Sequence, residues 1–131
     1  MPWLFPSLGP TAYLQATAPE SKEARLYNAI AGHYVSAAAA IFAVWLTGAN
    51  FYPPMDLKIS GARVAAAIIG IAFGIFADDL IKARHAPAAA TNLLVTLGLF
   101  RSRKDFIAFG IGVLIVSLAG EGLRRWRLKQ F

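Results

Sequence analysis

Two adjacent carboxylates, Asp78 and Asp79, follow a long apolar run in this sequence and precede the basic residue Lys82. Lys82 lies four residues after Asp78 and three after Asp79, so on a helix the spacing predicts a local ion pair near the helix end. The alternative is an ion or proton site at a helix contact, because adjacent carboxylates make one of the pair easier to protonate. Both readings concern Asp78, Asp79 and Lys82.

His33 is the second candidate, near one end of another apolar stretch. An intramembrane histidine most often hydrogen-bonds to a neighbouring hydroxyl or to interfacial water. The sequence AIAGH at residues 29–33 resembles the A-x-x-x-H spacing of antenna polypeptides, and that resemblance implies a chlorophyll ligand, with haem as a related possibility. Because the hydrogen-bonded histidine is the more common case, we predict no cofactor. His33 is kept as the one candidate for binding a cofactor. His85 is expected to be solvated at the interface.

The remaining sequence offers few groups for catalysis. There are no cysteines, which excludes thiolate metal sites and cysteine nucleophiles. The sequence contains no phosphate-binding loop, nucleophile elbow or zinc-protease motif, and the two histidines are not at metal-ligand spacing. We therefore expect no enzyme activity, no catalytic residues and no metal site.

The composition indicates a membrane protein. Of 131 residues, 57% are hydrophobic and 15% are charged, and the mean hydropathy is +0.53. Ordinary soluble domains carry about 25% charged residues. The fold class expected is an all-α integral membrane bundle with several crossings, in a membrane that the sequence does not identify.

Three helices are predicted to cross. Residues 26–55 contain no acidic or basic side chain other than His33. The two shorter apolar runs, 64–77 and 106–120, are bracketed by basic side chains about 28–30 Å apart along a helix. A capping-box pattern at residues 17–20 favours an early start for the first helix. The predicted spans are residues 20–52, 60–85 and 102–126.

The other segments are less regular. Residues 86–100 form a short apolar helix that spans, re-enters or lies in the interface; the distribution of Lys and Arg favours a fourth crossing with both termini cytoplasmic. Residues 1–20 combine prolines with aromatics, which predicts an extended interfacial arm without regular helix. Residues 127–131 form a basic tail.

Small residues recur at four-residue spacing in the first two predicted spans, which is typical of helices that pack closely in lipid. The predicted packing residues are Gly32, Ser36, Ala40, Gly48, Ala62, Ala66, Gly70 and Gly74. Basic residues at the C-terminus are predicted to contact anionic lipid headgroups; these are Arg124, Arg125, Arg127 and Lys129. Nucleic acid is not expected as a partner, because the basic residues lie at membrane boundaries.

These features favour a small non-catalytic accessory subunit of a larger energy-converting or ion-translocating membrane complex. Its partners would be other membrane subunits or copies of itself, together with lipids. The first alternative is a self-assembling pore, since the short spans and basic tail resemble the general architecture of phage holins. The second is a pigment- or haem-binding subunit that uses His33.

Overall fold

The computed structural model describes residues 8–100 and 102–130, and this part of the chain is helical. Five α-helices follow one another along the chain: α1 Gly9–Thr17, α2 Leu26–Thr47, α3 Gly61–Leu80, α4 Ala88–Thr96 and α5 Arg103–Leu128. Two short 3-10 turns, Lys22–Ala24 and Ala49–Phe51, flank α2. The structure therefore confirms the all-α prediction for the described residues.

Helices α2, α3 and α5 contain 22, 20 and 26 residues and are long and apolar enough to cross a membrane. The first of them begins later than predicted. Ser21 caps the short turn at Lys22–Ala24 by accepting a hydrogen bond from the Ala24 N–H, and Arg25 is extended. The polar stretch after residue 20 is therefore used for a separate turn, and α2 ends at Gly48, which adopts a left-handed conformation.

Helix α1 corrects the prediction of an extended arm over residues 1–20. Pro10 stands in the first turn of α1, where the missing N–H removes no helical hydrogen bond, and Pro19 follows the end of the helix. The prolines therefore bound the helix instead of preventing it. Its side chains Thr11 and Gln15 are fully buried against the rest of the bundle. The part of the predicted arm at residues 1–7 lies outside the described residues.

Helix α4 is too short to span alone, but it connects the two ends of the bundle. We call the end that holds Glu23, Ala86 and Arg124 the lower end and the end that holds Tyr52 and Arg63 the upper end. At the lower end, the Ala86 N–H before α4 donates to the Glu23 carboxylate at 2.6 Å. At the upper end, the Arg63 guanidinium donates to the last carbonyl of α4.

The chain therefore passes from the lower to the upper end through α4 and the residues that follow it, and α5 returns to the lower end. There Arg124 of α5 donates to the carbonyl of Pro19, just after α1. The end of α1 and the last turns of α5 thus lie at the same end of the bundle. Whether α4 counts as a fourth crossing stays a prediction.

Helix α4 packs into a groove between α2 and α3 that small residues create. Gly70 and Gly74 are buried on the inner face of α3. The Asn92 amide nitrogen of α4 donates to the Gly70 carbonyl at 2.8 Å and to the Ser36 carbonyl at 3.1 Å. A polar side chain thus fixes α4 to both long helices where the backbones come close.

The predicted packing residues are largely used inside the chain. Six are buried: Gly32, Ser36, Ala40, Ala66, Gly70 and Gly74. The other two, Gly48 and Ala62, are partly buried, and Gly48 serves as the left-handed end of α2. The small-residue faces of α2 and α3 are therefore occupied by each other and by α4.

Replacement of Gly74 by alanine tests this packing. The added Cβ would lie 2.7 Å from Asn92 Nδ2 and 2.9 Å from Ser36 Oγ, so the hydrogen-bonded Asn92 side chain or its neighbours must move. We expect Gly74→Ala to lower the free energy of unfolding by about 1–3 kcal/mol, as overpacking usually does. Thermal unfolding in detergent, followed by circular dichroism, measures the change.

Gly122→Ala is the matched control, because Gly122 lies in α5 with no atom within 4 Å of an added Cβ. Higher helix propensity predicts a gain of up to about 1 kcal/mol there. Equal stability of the two variants would contradict the proposed packing of α4.

Candidate functional site

A cavity of about 310 Å³ opens near the lower end of the bundle between α2, α3 and α4. Its walls combine apolar side chains with several polar ones. The polar and charged residues that line it are Glu23, Ser36, Asp78, Asp79, Arg84, His85 and Asn92. Gly74 and Ala89 leave the space open, since neither carries a side chain larger than methyl.

Asp78 is the most deeply buried carboxylate of this lower cavity, with 5% of its surface exposed. Its Oδ1 atom is buried and has no hydrogen-bond partner within residues 8–100 and 102–130. The Arg84 guanidinium pairs at 2.9 Å with Asp79, which is about half exposed. Asp79 therefore neutralises the charge of Arg84, and Asp78 does not.

The predicted ion pair with Lys82 is not formed within the described chain. Helix α3 ends at Leu80, and Lys82 adopts a left-handed conformation with φ 56°. The Ala83 N–H closes this turn by donating to the backbone carbonyl of Asp78. Because the helix has ended, the four-residue spacing no longer places Lys82 beside Asp78.

Asn92 lines the same cavity from α4 and is fully buried. Its amide nitrogen is used in the contacts with α2 and α3 described above. Its carbonyl oxygen, Oδ1, has no hydrogen-bond partner in the part of the chain that the structure describes. This oxygen lies on the Gly70 side, where a Cβ added to Gly70 would be 2.6 Å from it, so Asp78 is the residue that brings an unpaired carboxylate to the cavity.

A buried chain of hydrogen bonds adjoins this cavity and joins four elements. His33 of α2 contacts Thr91 of α4 through Nδ1 at 2.8 Å and Thr11 of α1 through Nε2 at 2.7 Å. Thr11 also contacts Nε2 of His85 at 2.9 Å. His85 Nδ1 in turn lies 2.8 Å from the backbone carbonyl of Glu23.

When both imidazole rings are neutral, the Glu23 carbonyl determines which group donates and which accepts in each hydrogen bond of this chain. Since the Glu23 carbonyl only accepts, His85 carries its proton on Nδ1, and its Nε2 accepts from the Thr11 hydroxyl. Thr11 has one proton, so its oxygen must accept from His33 Nε2–H. His33 Nδ1 then accepts from the Thr91 hydroxyl. The chain thus assigns opposite tautomers to the two histidines.

The structure changes the expectation for His85, whereas His33 has hydroxyl partners of the kind expected for it. His85 is 3% exposed, not solvated, because α1 and the segment before α2 cover it. Both ring nitrogens of His33 are hydrogen-bonded, so ligation of haem or chlorophyll at His33 would require the loss of a threonine contact. Within residues 8–100 and 102–130, no group of three His, Cys, Asp or Glu side chains is placed to hold a metal ion.

Thr11 is the residue of this network that the sequence analysis missed. It lies in the segment interpreted as an extended arm, and its contacts are to residues 22 and 74 positions away. The available signal was its four-residue spacing from Gln15, which places two uncharged polar side chains on one face of a short helix.

A second cavity, of about 560 Å³, lies at the upper end. Arg63, Asn50 and Tyr52 line it together with Gly98 and apolar residues of α2, α4 and α5. The Arg63 side chain, one of the basic groups that bracket the second predicted span, is only 7% exposed. Its guanidinium donates to the backbone carbonyls of Tyr52, Pro53 and Thr96, groups left unpaired by the ends of helices and turns.

The basic residues at the C-terminus have two roles in the structure. Arg124 Nε donates to the Pro19 carbonyl at 2.7 Å, and Arg127 Nε donates to the Ala16 carbonyl at 3.3 Å, so both hold the end of α1. Arg125 is exposed and lies near Glu121. Contact of Arg125 and Lys129 with lipid headgroups stays a prediction.

The fold and these sites define the class of protein: an all-helical, multi-pass integral membrane bundle with polar groups enclosed between its helices. The family described as "HPP, transmembrane region" matches residues 1–126, and the chain belongs to this family. The match confirms the predicted membrane localisation. Neither the comparison with curated proteins nor that with solved structures found a match.

The histidine–threonine chain leads to a pH prediction. Burial lowers the pKa of His85 below its ordinary value of 6.5, while the hydrogen bond to the Glu23 carbonyl and the Glu23 charge oppose this less strongly. The stability that neutral His85 supplies is present above pH 6.5. It is lost as the pH falls below 6.5, because the unfolded chain then binds a proton that the folded chain excludes.

We expect the free energy of unfolding to fall by up to about 1.4 kcal/mol per pH unit in this range through His85. Thermal unfolding in detergent at several pH values between about 7.5 and 5.5 measures the dependence. The His85→Gln variant is expected to show a shallower dependence, and an equally steep one would contradict this role of His85.

Proposed function

We propose that this chain provides a path by which a small polar solute or ion crosses the membrane, and that it does so as a subunit of a larger membrane assembly. The observation that carries the proposal is the pair of cavities that lie near opposite ends of the bundle. The path needs no chemical step, in keeping with the expectation that the chain is not an enzyme.

The distance between the two cavities supports the proposal. Asn92 lines the lower cavity and Val95 lines the upper one, so that a single turn of α4 lies between them. The Thr96 hydroxyl donates to the backbone carbonyl of Asn92 across this turn. A short barrier that contains polar groups is one that a small solute could pass after a modest movement of α4.

The side chains on either side of this turn also support a path. Asp78 faces the lower cavity and Arg63 the upper one, and both are more than nine-tenths buried. Burial of ionisable side chains inside a membrane protein is costly, and such residues commonly mark the route of a solute or ion. Glycines at the contact of α3 with α4 reduce the side-chain rearrangement that a movement of α4 requires.

The assembly part of the proposal rests on the sequence, in which the segments between the helices are short and only 15% of the residues are charged. The small-residue faces do not add to it, since α2, α3 and α4 use them among themselves. No observation on the described residues favours the holin-like pore, and the hydrogen bonds of His33 do not favour the pigment or haem subunit.

Vesicle permeability tests the path. The purified protein is reconstituted into liposomes, and stopped-flow light scattering follows the volume recovery under inward gradients of urea, potassium chloride and ammonium chloride. We expect at least one solute to enter faster than in protein-free vesicles. Ala89→Phe fills the lower cavity and is expected to reduce that rate by about tenfold or more, equivalent to at least 1.4 kcal/mol.

Ala72→Phe is the control, since Ala72 lies on the exposed face of α3 and the same volume is added outside the bundle. It should leave the rate unchanged. Rates equal to those of protein-free vesicles for all three solutes, or equal losses in the two variants, would overturn the proposed path.

Native mass spectrometry after gentle detergent extraction tests the assembly. A complex with other subunits, or with copies of this chain, is expected. A monodisperse free monomer with no co-purifying partner would remove the subunit part of the proposal and leave the path to be judged by the permeability measurement alone.

A further inference from the structure

The charges around the lower cavity do not balance within the described chain. Three carboxylates line it, those of Glu23, Asp78 and Asp79, against one guanidinium, that of Arg84. Arg84 pairs with Asp79. The Glu23 carboxylate accepts from the Ala86 N–H near the cavity mouth. The inner carboxylate, Asp78, is left without a counter-charge from this set.

The neighbouring bases do not supply one. Both ring nitrogens of His85 are engaged, Nδ1 with a carbonyl and Nε2 with Thr11, in the neutral arrangement derived above. Lys82 is exposed beyond the end of α3 and makes no salt bridge to Asp78 among the described residues. A buried carboxylate in this situation must be neutralised by a proton or by a cation from outside the chain.

We propose that the lower cavity is a binding site for a small monovalent cation, with the Asp78 carboxylate as its charged ligand. This inference rests on the proposed function, because it names the ion that would enter the path at the lower cavity. Binding of the ion is measured independently of its passage. The second observation is the state of Asp78 itself: the residue lines the cavity and is 5% exposed, and its Oδ1 has no hydrogen-bond partner among the described residues.

The donor set favours a monovalent over a divalent cation. One uncompensated carboxylate balances one positive charge, whereas Ca²⁺ and Mg²⁺ sites usually combine several oxygen ligands with more than one carboxylate. The described residues contain no cluster of three His, Cys, Asp or Glu side chains suited to a metal ion. A single carboxylate suits an alkali cation or ammonium.

The size of the cavity favours a cation over a proton as the neutralising species. A proton on Asp78 would need no space, whereas a volume of about 310 Å³ holds a small cation with several of its waters at about 30 Å³ each. The Gly74 position preserves this space, because a side chain there would meet Asn92 and Ser36.

The test is the thermal unfolding of the full chain in detergent at constant ionic strength and constant pH. Sodium, potassium and ammonium chlorides are each compared with the chloride of N-methyl-D-glucamine, a bulky organic cation that serves as the reference. Because a ligand that binds only the folded state stabilises it, we expect at least one small cation to raise the Tm by about 3 °C or more.

Two variants assign the effect to Asp78. Asp78→Asn removes the charge with little change in shape and is expected to abolish the difference between the cations. Asp79→Asn is the matched control, since Asp79 is paired with Arg84 and partly exposed, and it should keep the difference. Ala89→Phe, which fills the cavity but keeps Asp78, is a second variant in case Asp78→Asn does not fold, and it should also abolish the difference.

An unfolding temperature of the wild type that is the same in all four salts would overturn the cation site and leave a protonated Asp78. So would a cation effect that persists in Asp78→Asn or Ala89→Phe. The permeability result is separate: binding without solute entry would keep the cation site and remove the path, and entry without a cation effect would do the reverse.

Discussion

The seating of α4 between two long helices is the constraint on which the rest of this structure depends. Nine residues cannot cross a bilayer, and the backbone groups at both ends of such a helix require partners that lipid does not offer. Gly70 and Gly74 provide the space, and the Asn92 amide binds carbonyls of both neighbours. At the upper end Arg63 binds the last carbonyl of α4. The two cavities lie on either side of the turn of α4 that separates Asn92 from Val95.

The same requirement explains the histidine–threonine chain. Imidazole and hydroxyl groups lose their water when they are enclosed, so each must find a partner inside the protein. Thr11 can serve both histidines only because a hydroxyl is at once a donor and an acceptor. Helix α1 is thereby tied to α2 and to the start of α4, and the arginines of α5 hold its other end. A short segment that precedes the first long helix thus becomes part of the core.

Local patterns were sufficient for the long helices and insufficient for the site. Apolar runs bracketed by charges predicted α2, α3 and α5, because the bilayer sets their length. The helix at residues 9–17 was missed because proline content was weighed without the position of Pro10 in the first turn. The predicted ion pair of Asp78 with Lys82 was wrong, because residue spacing alone does not show the left-handed turn at Lys82. His85 was placed in water because Thr11, 74 residues earlier, gives no local signal.

The polarity and brevity of α4 have a consequence for biogenesis. Thr91, Asn92 and Thr96 lie within its nine residues, so the segment gains too little by partitioning into lipid to enter as an independent span. It acquires a favourable environment only when α2 and α3 already stand side by side and present their glycines. We therefore expect this segment to enter the membrane only together with, or after, the hairpin of these two helices.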